Sequence, residues 1–339
     1  MRDAAGLVDA RASLSPIAQA APLHFGQLVV QTTWTCTASC AMCYQSAGPN
    51  GSDDFGAAGL SLGDLEPVFA CLDEVAMLEP HFHLVGGEAL IDYDKAVRLI
   101  NRARRAGFQD LTLTTNGFWG RNRDRAASYC AGLVDGGLTH MDISWDRWRR
   151  PFISGDAIAT CFEEAAAHGL SARLRLLLST EDTVESLLAN IRPEAARLAS
   201  EIYCDTVAAT GRAARRLTPA QVPKSRSLDA ACFRDLNLTI NPAGDVYPCC
   251  SGLDQTRSLQ FGNIRETPLS EIVRRMDRSP LLRKIAFDGI ASLLPLLPNN
   301  GARIAEGRSS ICSLCWALFS DADGVAAIKE HYPDERWAS

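Results

Sequence analysis

Cys36, Cys40 and Cys43 place three thiols within eight residues, directly after the apolar, β-branched run 27–33 (QLVVQTT). Thiolates are soft donors suited to zinc or to iron–sulfur clusters. Three are one short of the four that close a tetrahedral site, so a four-iron cluster held here would keep one iron open to another ligand. Alone, the triplet also suits a zinc knuckle, and the elements around it must decide.

The 339 residues can bury a sizeable core, with 47% hydrophobic and 22% charged residues, as in ordinary globular chains. The formal net charge is −6, and basic residues cluster only at Arg147, Arg149 and Arg150 and at Arg212, Arg215 and Arg216. Neither spot makes a footprint for duplex DNA, so no nucleic-acid partner is expected. The stretch 1–22 lacks the basic start and continuous apolar core of a signal peptide. No apolar run approaches the ~20 residues that span a bilayer; the greasiest piece, 290–298, is too short. A cytoplasmic protein with no membrane partner is expected. Its twelve cysteines should be mostly reduced there, which favours metal or redox chemistry for the clustered ones.

Stepping along the chain, residues 1–26 read as an N-terminal extension or packing arm. Strands are expected at 27–33, 81–85, 110–115, 139–144, 172–179 and 201–207, with helices at 62–78, 92–106, 121–136, 155–168 and 184–199 between them. Ser61 is a plausible N-cap for the first helix. Six strand–helix alternations require a parallel sheet but fall short of the eight that close a barrel. The expected fold is α/β, a partial (β/α)6 TIM barrel over 27–217, with functional residues just past the strand ends. The texture changes near Leu217, and 218–339 reads as a small C-terminal α+β unit. It carries two strands around a turn at Asn241-Pro242-Ala243-Gly244, then helices at 268–278 and from Pro280 to Ile285. His81, His83, His140 and His168 read as structural, and Cys71, Cys130, Cys161 and Cys204 as core residues.

The triplet with Tyr44 following, Gly86-Gly87-Glu88 at the second strand end, Thr115-Asn116-Gly117 at the third, and Ser144 with Asp146 at the fourth together resemble the radical S-adenosylmethionine (SAM) superfamily. The resemblance covers roughly residues 27–216. It implies that Cys36, Cys40 and Cys43 hold a [4Fe-4S] cluster whose open iron is chelated by SAM. It also implies that Gly86 and Gly87 let backbone approach the methionine end, and that Met42 lies against the adenine. Glu88 would meet the SAM amino group or only cap the next helix. Asn116 would belong to the same cofactor pocket, and Ser144 would bond the SAM carboxylate or ribose. Reductive cleavage would then yield a 5'-deoxyadenosyl radical that takes a hydrogen atom from substrate, with a donor such as flavodoxin or ferredoxin supplying the electron. The order Cys232, Cys249, Cys312 and Cys315 resembles the twitch extension, a shortened SPASM domain, and implies a second, auxiliary [4Fe-4S] cluster. Zinc on the same four thiols is the alternative.

Cys250 is left over. It could replace Cys249 as a ligand, sit in the core as a small hydrophobe, or give a hydrogen atom to a substrate radical as in radical SAM epimerases. Asp146-Arg147-Trp148-Arg149-Arg150 after the fourth strand and Arg212 just past the sixth could both meet substrate, since arginine suits carboxylates and phosphates, and Arg212 is the preferred contact. The expected outcome is oxidation or epimerisation of a small natural product, such as an amino sugar or nucleoside, because no leader-binding domain is attached. The alternatives are cross-linking or epimerisation of a ribosomally made peptide and, outside enzymes, a zinc- or cluster-binding module.

Overall fold

A computed structural model describes residues 14–224 and 227–337; of the N-terminal extension, 1–13 lie outside the described residues. Six strands run parallel in sequence order: β1 (Leu28–Gln31), β2 (His81–Val85), β3 (Asp110–Thr115), β4 (His140–Trp145), β5 (Ser171–Leu178) and β6 (Glu201–Thr206). Two more, β7 (Leu238–Ile240) and β8 (Val246–Tyr247), lie on the far side of β1. β7 pairs parallel with β1, and β8 folds back antiparallel on β7. The expected C-terminal hairpin is therefore present, but it continues the barrel sheet, giving the order β8-β7-β1-β2-β3-β4-β5-β6.

The strands alternate. Phe82 and Leu84, Leu111 and Leu113, Met141 and Ile143, and Leu174 and Leu176 face the helices and belong to the main core. Their sequence neighbours His83, Thr112, Asp142, Arg173 and Arg175 face the other way and bond across the strands: Arg173 Nε to Asp142 at 2.7 Å and Arg175 Nε to Asp205 at 2.9 Å. His81 and His83 both meet Thr112 Oγ1, and Thr114 bonds His83 Nε2 at 3.1 Å, so these histidines are structural groups of the barrel interior. Parallel strands covered on both faces ordinarily read as continuous apolar runs. Here one face is polar, and the barrel encloses a polar lumen.

The helices follow the expected order with shorter spans. The first covers Leu62–Ala70, with Ser61 and Asp64 forming a reciprocal capping box, and a 3-10 turn at Leu72–Glu74 takes its last residues. Residues 184–199 make two short helices, Val184–Leu188 and Pro193–Ala196. Pro193 has no N–H for a continuing helix and holds Arg192 extended. The helix Pro16–Ala20 packs on the C-terminal part, where Arg283 Nε donates to the Ala18 carbonyl at 2.7 Å.

The loop carrying the cysteine triplet is irregular apart from a two-stranded ribbon, Ala47–Gly48 with Gly51–Ser52. It lies on the strand ends. Gly87 N donates to the Thr33 carbonyl at 2.6 Å and Glu88 N to the Thr35 carbonyl at 3.0 Å. A Cβ on Gly87 would stand 2.4 Å from the Thr35 oxygen, and one on Gly86 2.9 Å from the Thr33 oxygen. The two glycines are thus the seat for the start of the loop. Gly87→Ala should destabilise the protein by about 1–3 kcal/mol through overpacking against backbone. Gly63→Ala, on an exposed helix position with ordinary space, should stabilise by about 0.5–1 kcal/mol. Thermal melts of both variants check the opposite signs; a Gly87→Ala protein as stable as wild type would refute the seat.

Candidate active site

Cys36 and Cys40 are buried and Cys43 half-buried, in one small cluster with Ala38, Met42 and Ala47 at the mouth of the barrel. The three thiols lie near enough for their charges to act on one another. The Asn116 side-chain amide donates to Cys36 Sγ at 3.6 Å and to Thr37 Oγ1 at 3.1 Å, while its oxygen accepts from Phe118 N at 2.9 Å. Asn116 therefore braces the loop from the end of β3.

Glu88 is buried, and its side chain caps the turn that follows. Its carboxylate accepts from Leu90 N at 3.2 Å, Thr115 Oγ1 at 2.9 Å and Asn116 N at 2.7 Å. Burial raises its carboxyl to about 7, opposed by those same donors. The expected close approach at Gly86 and Gly87 is also made, but by the chain's own residues 33–35. The Ser144 hydroxyl is buried at the end of β4 with no partner within the protein. Trp34 Nε1, just before the triplet, is likewise buried and unpaired.

Arg212, expected to meet substrate, is buried and engaged elsewhere. Its guanidinium binds the Asp53 carboxylate and the carbonyls of Cys40, Ser46 and Ala47. A side chain so committed has no fork left for a ligand. Two other arginines are better placed, Arg149 from the stretch expected after the fourth strand and Arg175, which motif reading left aside. Arg149, in the turn after β4, pairs with buried Asp146 and lies close enough to Cys40 to oppose the rise that burial imposes on its thiol. Arg175 projects into the lumen beside Asp205 and near Cys250 and Tyr44. The spacing Asp146–Arg149 was the available signal for the first; the alternation of Arg173-Leu174-Arg175 was the signal for the second.

The C-terminal cysteines also converge. Cys315 and Cys312, on the helix Ile311–Ser320, face Cys232 and Cys249, and Cys315 is close enough to feel the charge of all three. Ser251 Oγ lies 3.4 Å from Cys312 Sγ. At Cys250 the Asn237 amide donates to the sulfur at 3.7 Å, and its charged neighbours include Asp254, Arg175 and Cys312. Burial pushes its thiol up to about 12, so it holds its proton at neutral pH. Asp254 is a further residue that sequence reading missed. It is buried, accepts from Gln31 Nε2 at 3.0 Å and Gln255 Nε2 at 2.7 Å, and is raised by burial to about 6.

Both cysteine sets fit iron–sulfur clusters by donor chemistry. Among the described residues, no three Cys, His, Asp or Glu side chains close on a single-ion point.

Residues 232–316 match the SPASM family model, an iron–sulfur cluster-binding domain. The match starts on Cys232 and ends one residue beyond Cys315. The chain is 22% identical over 298 residues to the putative peptide biosynthesis protein YydG of Bacillus subtilis (strain 168), covering 86% of this chain and 91% of that protein. It is 27% identical over 119 residues to a probable GTP 3',8-cyclase of Methanothermobacter thermautotrophicus, covering 35% and 34%. Native anSMEcpe with bound AdoMet superposes with a TM-score of 0.51 at 14% identity, over 91% of this chain and 98% of that one, and shows the same fold. The cofactors that go with these matches are SAM and [4Fe-4S] clusters, one of them auxiliary. Partial barrel, cysteine triplet and C-terminal match agree with the resemblance to radical SAM enzymes, and residues 232–316 carry a match to a SPASM-type cluster-binding domain.

Proposed function

We propose that the enzyme modifies a ribosomally made peptide, by epimerisation or cross-linking, rather than a small sugar or nucleoside. The observation that carries this reading is the likeness to a putative peptide biosynthesis protein along 91% of that protein's length. It outweighs the expectation of a small molecule, which rested on a leader-binding domain not being attached.

In this reading Cys36, Cys40 and Cys43 hold the SAM-binding cluster, and Cys232, Cys249, Cys312 and Cys315 the auxiliary one. When bound, SAM and its cluster supply a 5'-deoxyadenosyl radical able to take a hydrogen atom from an unactivated C–H bond. The chain's own residues do the rest. Ser144 offers its free hydroxyl to SAM at the end of β4, and Met42 packs against the adenine. Asn116 and Glu88 keep the strand ends and the cysteine loop in register. Arg175 and Arg149 give the lumen positive charge for a carboxylate or backbone carbonyl of substrate.

Cys250 serves as the hydrogen donor, and epimerisation is the outcome it favours. Its thiol stays protonated and lies near Arg175 and Tyr44 as well as near Cys312. After a substrate C–H bond is broken, the Cys250 S–H bond breaks to form a new C–H bond on the opposite face. The sulfur radical then takes one electron and one proton, the electron from the external reductant of flavodoxin or ferredoxin type.

Two measurements test these assignments. Anaerobic reconstitution should give about eight irons per chain, and about four in Cys232→Ala or Cys315→Ala. With a strong reductant the wild type should release 5'-deoxyadenosine, and Cys40→Ala should fall to background. Equal release from both proteins would end the enzyme reading of the triplet. For the outcome, co-expression with candidate precursor peptides in deuterated water should place one deuterium at an epimerised α-carbon. Cys250→Ala should still release 5'-deoxyadenosine but lose epimer and label. Turnover with amino sugars or nucleosides and with no peptide would reverse the substrate assignment, and deuterium retained in Cys250→Ala would dismiss the thiol donor.

A further inference from the structure

The turn after β6 is built onto the cysteine loop. Gly211 has φ 54°, and a Cβ there would stand 1.9 Å from the Tyr44 carbonyl oxygen, so only glycine admits this approach. Arg212 N donates to the Cys43 carbonyl at 3.1 Å. Its side chain then reaches under the loop: Nη1 to the carbonyls of Cys40 at 3.1 Å and Ala47 at 2.9 Å, Nη2 to that of Ser46 at 2.6 Å, and Nε to Asp53 at 2.7 Å. An irregular loop has no ladder for its buried carbonyls, and each must find a donor. The planar guanidinium supplies several in a fixed fork, which a lysine ammonium does not. The side chain is only 8% exposed, against 56% for Asp53, so its charge is weakly screened on the loop side and well screened on the Asp53 side. Cys40 and Cys43 both feel that charge.

We propose that Arg212 is a positioning residue for the three-thiolate site. It sets the carbonyl frame of the loop before any cluster is present, and it keeps a permanent positive charge beside Cys40 and Cys43. That charge favours the more negative, reduced state of a cluster bound there and so raises its reduction potential. The inference rests on the reading of Cys36, Cys40 and Cys43 as cluster ligands, but its first half concerns the bare protein and is measured separately.

Hydrogen exchange on the full-length, cluster-free chain should show amides of 40–54 exchanging about tenfold faster or more in Arg212→Gln. Losing bonds worth about 1.5–3 kcal/mol each from a charged donor has that consequence. Arg212→Lys should be intermediate, and β3 and β4 unchanged in both. In reconstituted protein, redox titration of the electron paramagnetic resonance signal that responds to SAM should order the midpoint potentials. Arg212→Gln should be the most negative, wild type and Arg212→Lys in between, and Asp53→Asn, which removes the opposing carboxylate, the most positive. A merely structural role would not reverse sign between Arg212→Gln and Asp53→Asn. Wild-type exchange in Arg212→Gln would overturn the brace, and potentials outside that order would overturn the charge effect. If Arg212→Gln fails to fold, Arg212→Lys tests the brace and Asp53→Asn the charge. A wild-type signal indifferent to SAM would defeat the parent reading and with it the charge effect, while the exchange experiment would still judge the brace.

Discussion

A loop with three inward-facing thiols and little regular structure cannot hold its own shape. Its buried carbonyls and N–H groups have to be satisfied from outside, and this need organises the top of the barrel. The strand ends supply the partners in turn: the Gly86–Glu88 step of β2 takes Thr33 and Thr35, Asn116 of β3 takes Thr37 and Cys36, and Arg212 after β6 takes the carbonyls of Cys40, Ser46 and Ala47. Glu88 ties two of these together by accepting from Asn116 N while capping its own turn. The residues expected around the cofactor thus do much of their work one layer out, fixing the loop that would carry it.

The barrel beneath has a different constraint. Its strands are parallel and covered by helices, yet one face of each carries histidine, threonine, aspartate or arginine. Such groups are tolerated out of water only when paired, and they are: Arg173 with Asp142, Arg175 with Asp205, His83 with Thr112 and Thr114. Pairing leaves a polar, charged lumen below the thiols, suited to a ligand with its own carboxylates and amides. Ser144, at the end of β4, is among the residues whose buried polar atom is left open.

How much of this was legible in the sequence follows from what each feature depends on. The six parallel strands were readable within a residue or two because apolar period and Gly or Asn punctuation agree, as in His81–Val85 and Asp110–Thr115. The cysteine spacing and the Gly-Gly-Glu step were readable because they are local. The role of Arg212 was not: its partners lie some 160 to 170 positions earlier, and a strand-end arginine looks the same whether it faces a ligand or a loop. Asp254 was hidden for the same reason, its burial coming from elements far away in the chain, and Arg149 was readable only as one arginine of the stretch after β4. The break of 184–199 at Pro193 was readable in principle, but helical periodicity on both sides of the proline masked it.

The C-terminal part was read as a small unit of its own, and the sheet shows why that reading is too simple. β7 adds to β1, so the chain leaving β8 starts from the rim of the same lumen. Cys249 and Cys250 leave that rim together. Cys249 goes with Cys315 on the C-terminal helix, and Cys250 with Arg175, a barrel residue. Asp254, four residues on, returns to the barrel through Gln31 at the end of β1, by a buried bond of 3.0 Å. A free-standing cluster domain would have no reason to bury a carboxylate against a barrel strand. Because the hairpin is an extension of the sheet, the strand end that carries Cys249 and Cys250 brings both thiols to the join between barrel and C-terminal helix, near Arg175 on one side and near Cys312 and Cys315 on the other.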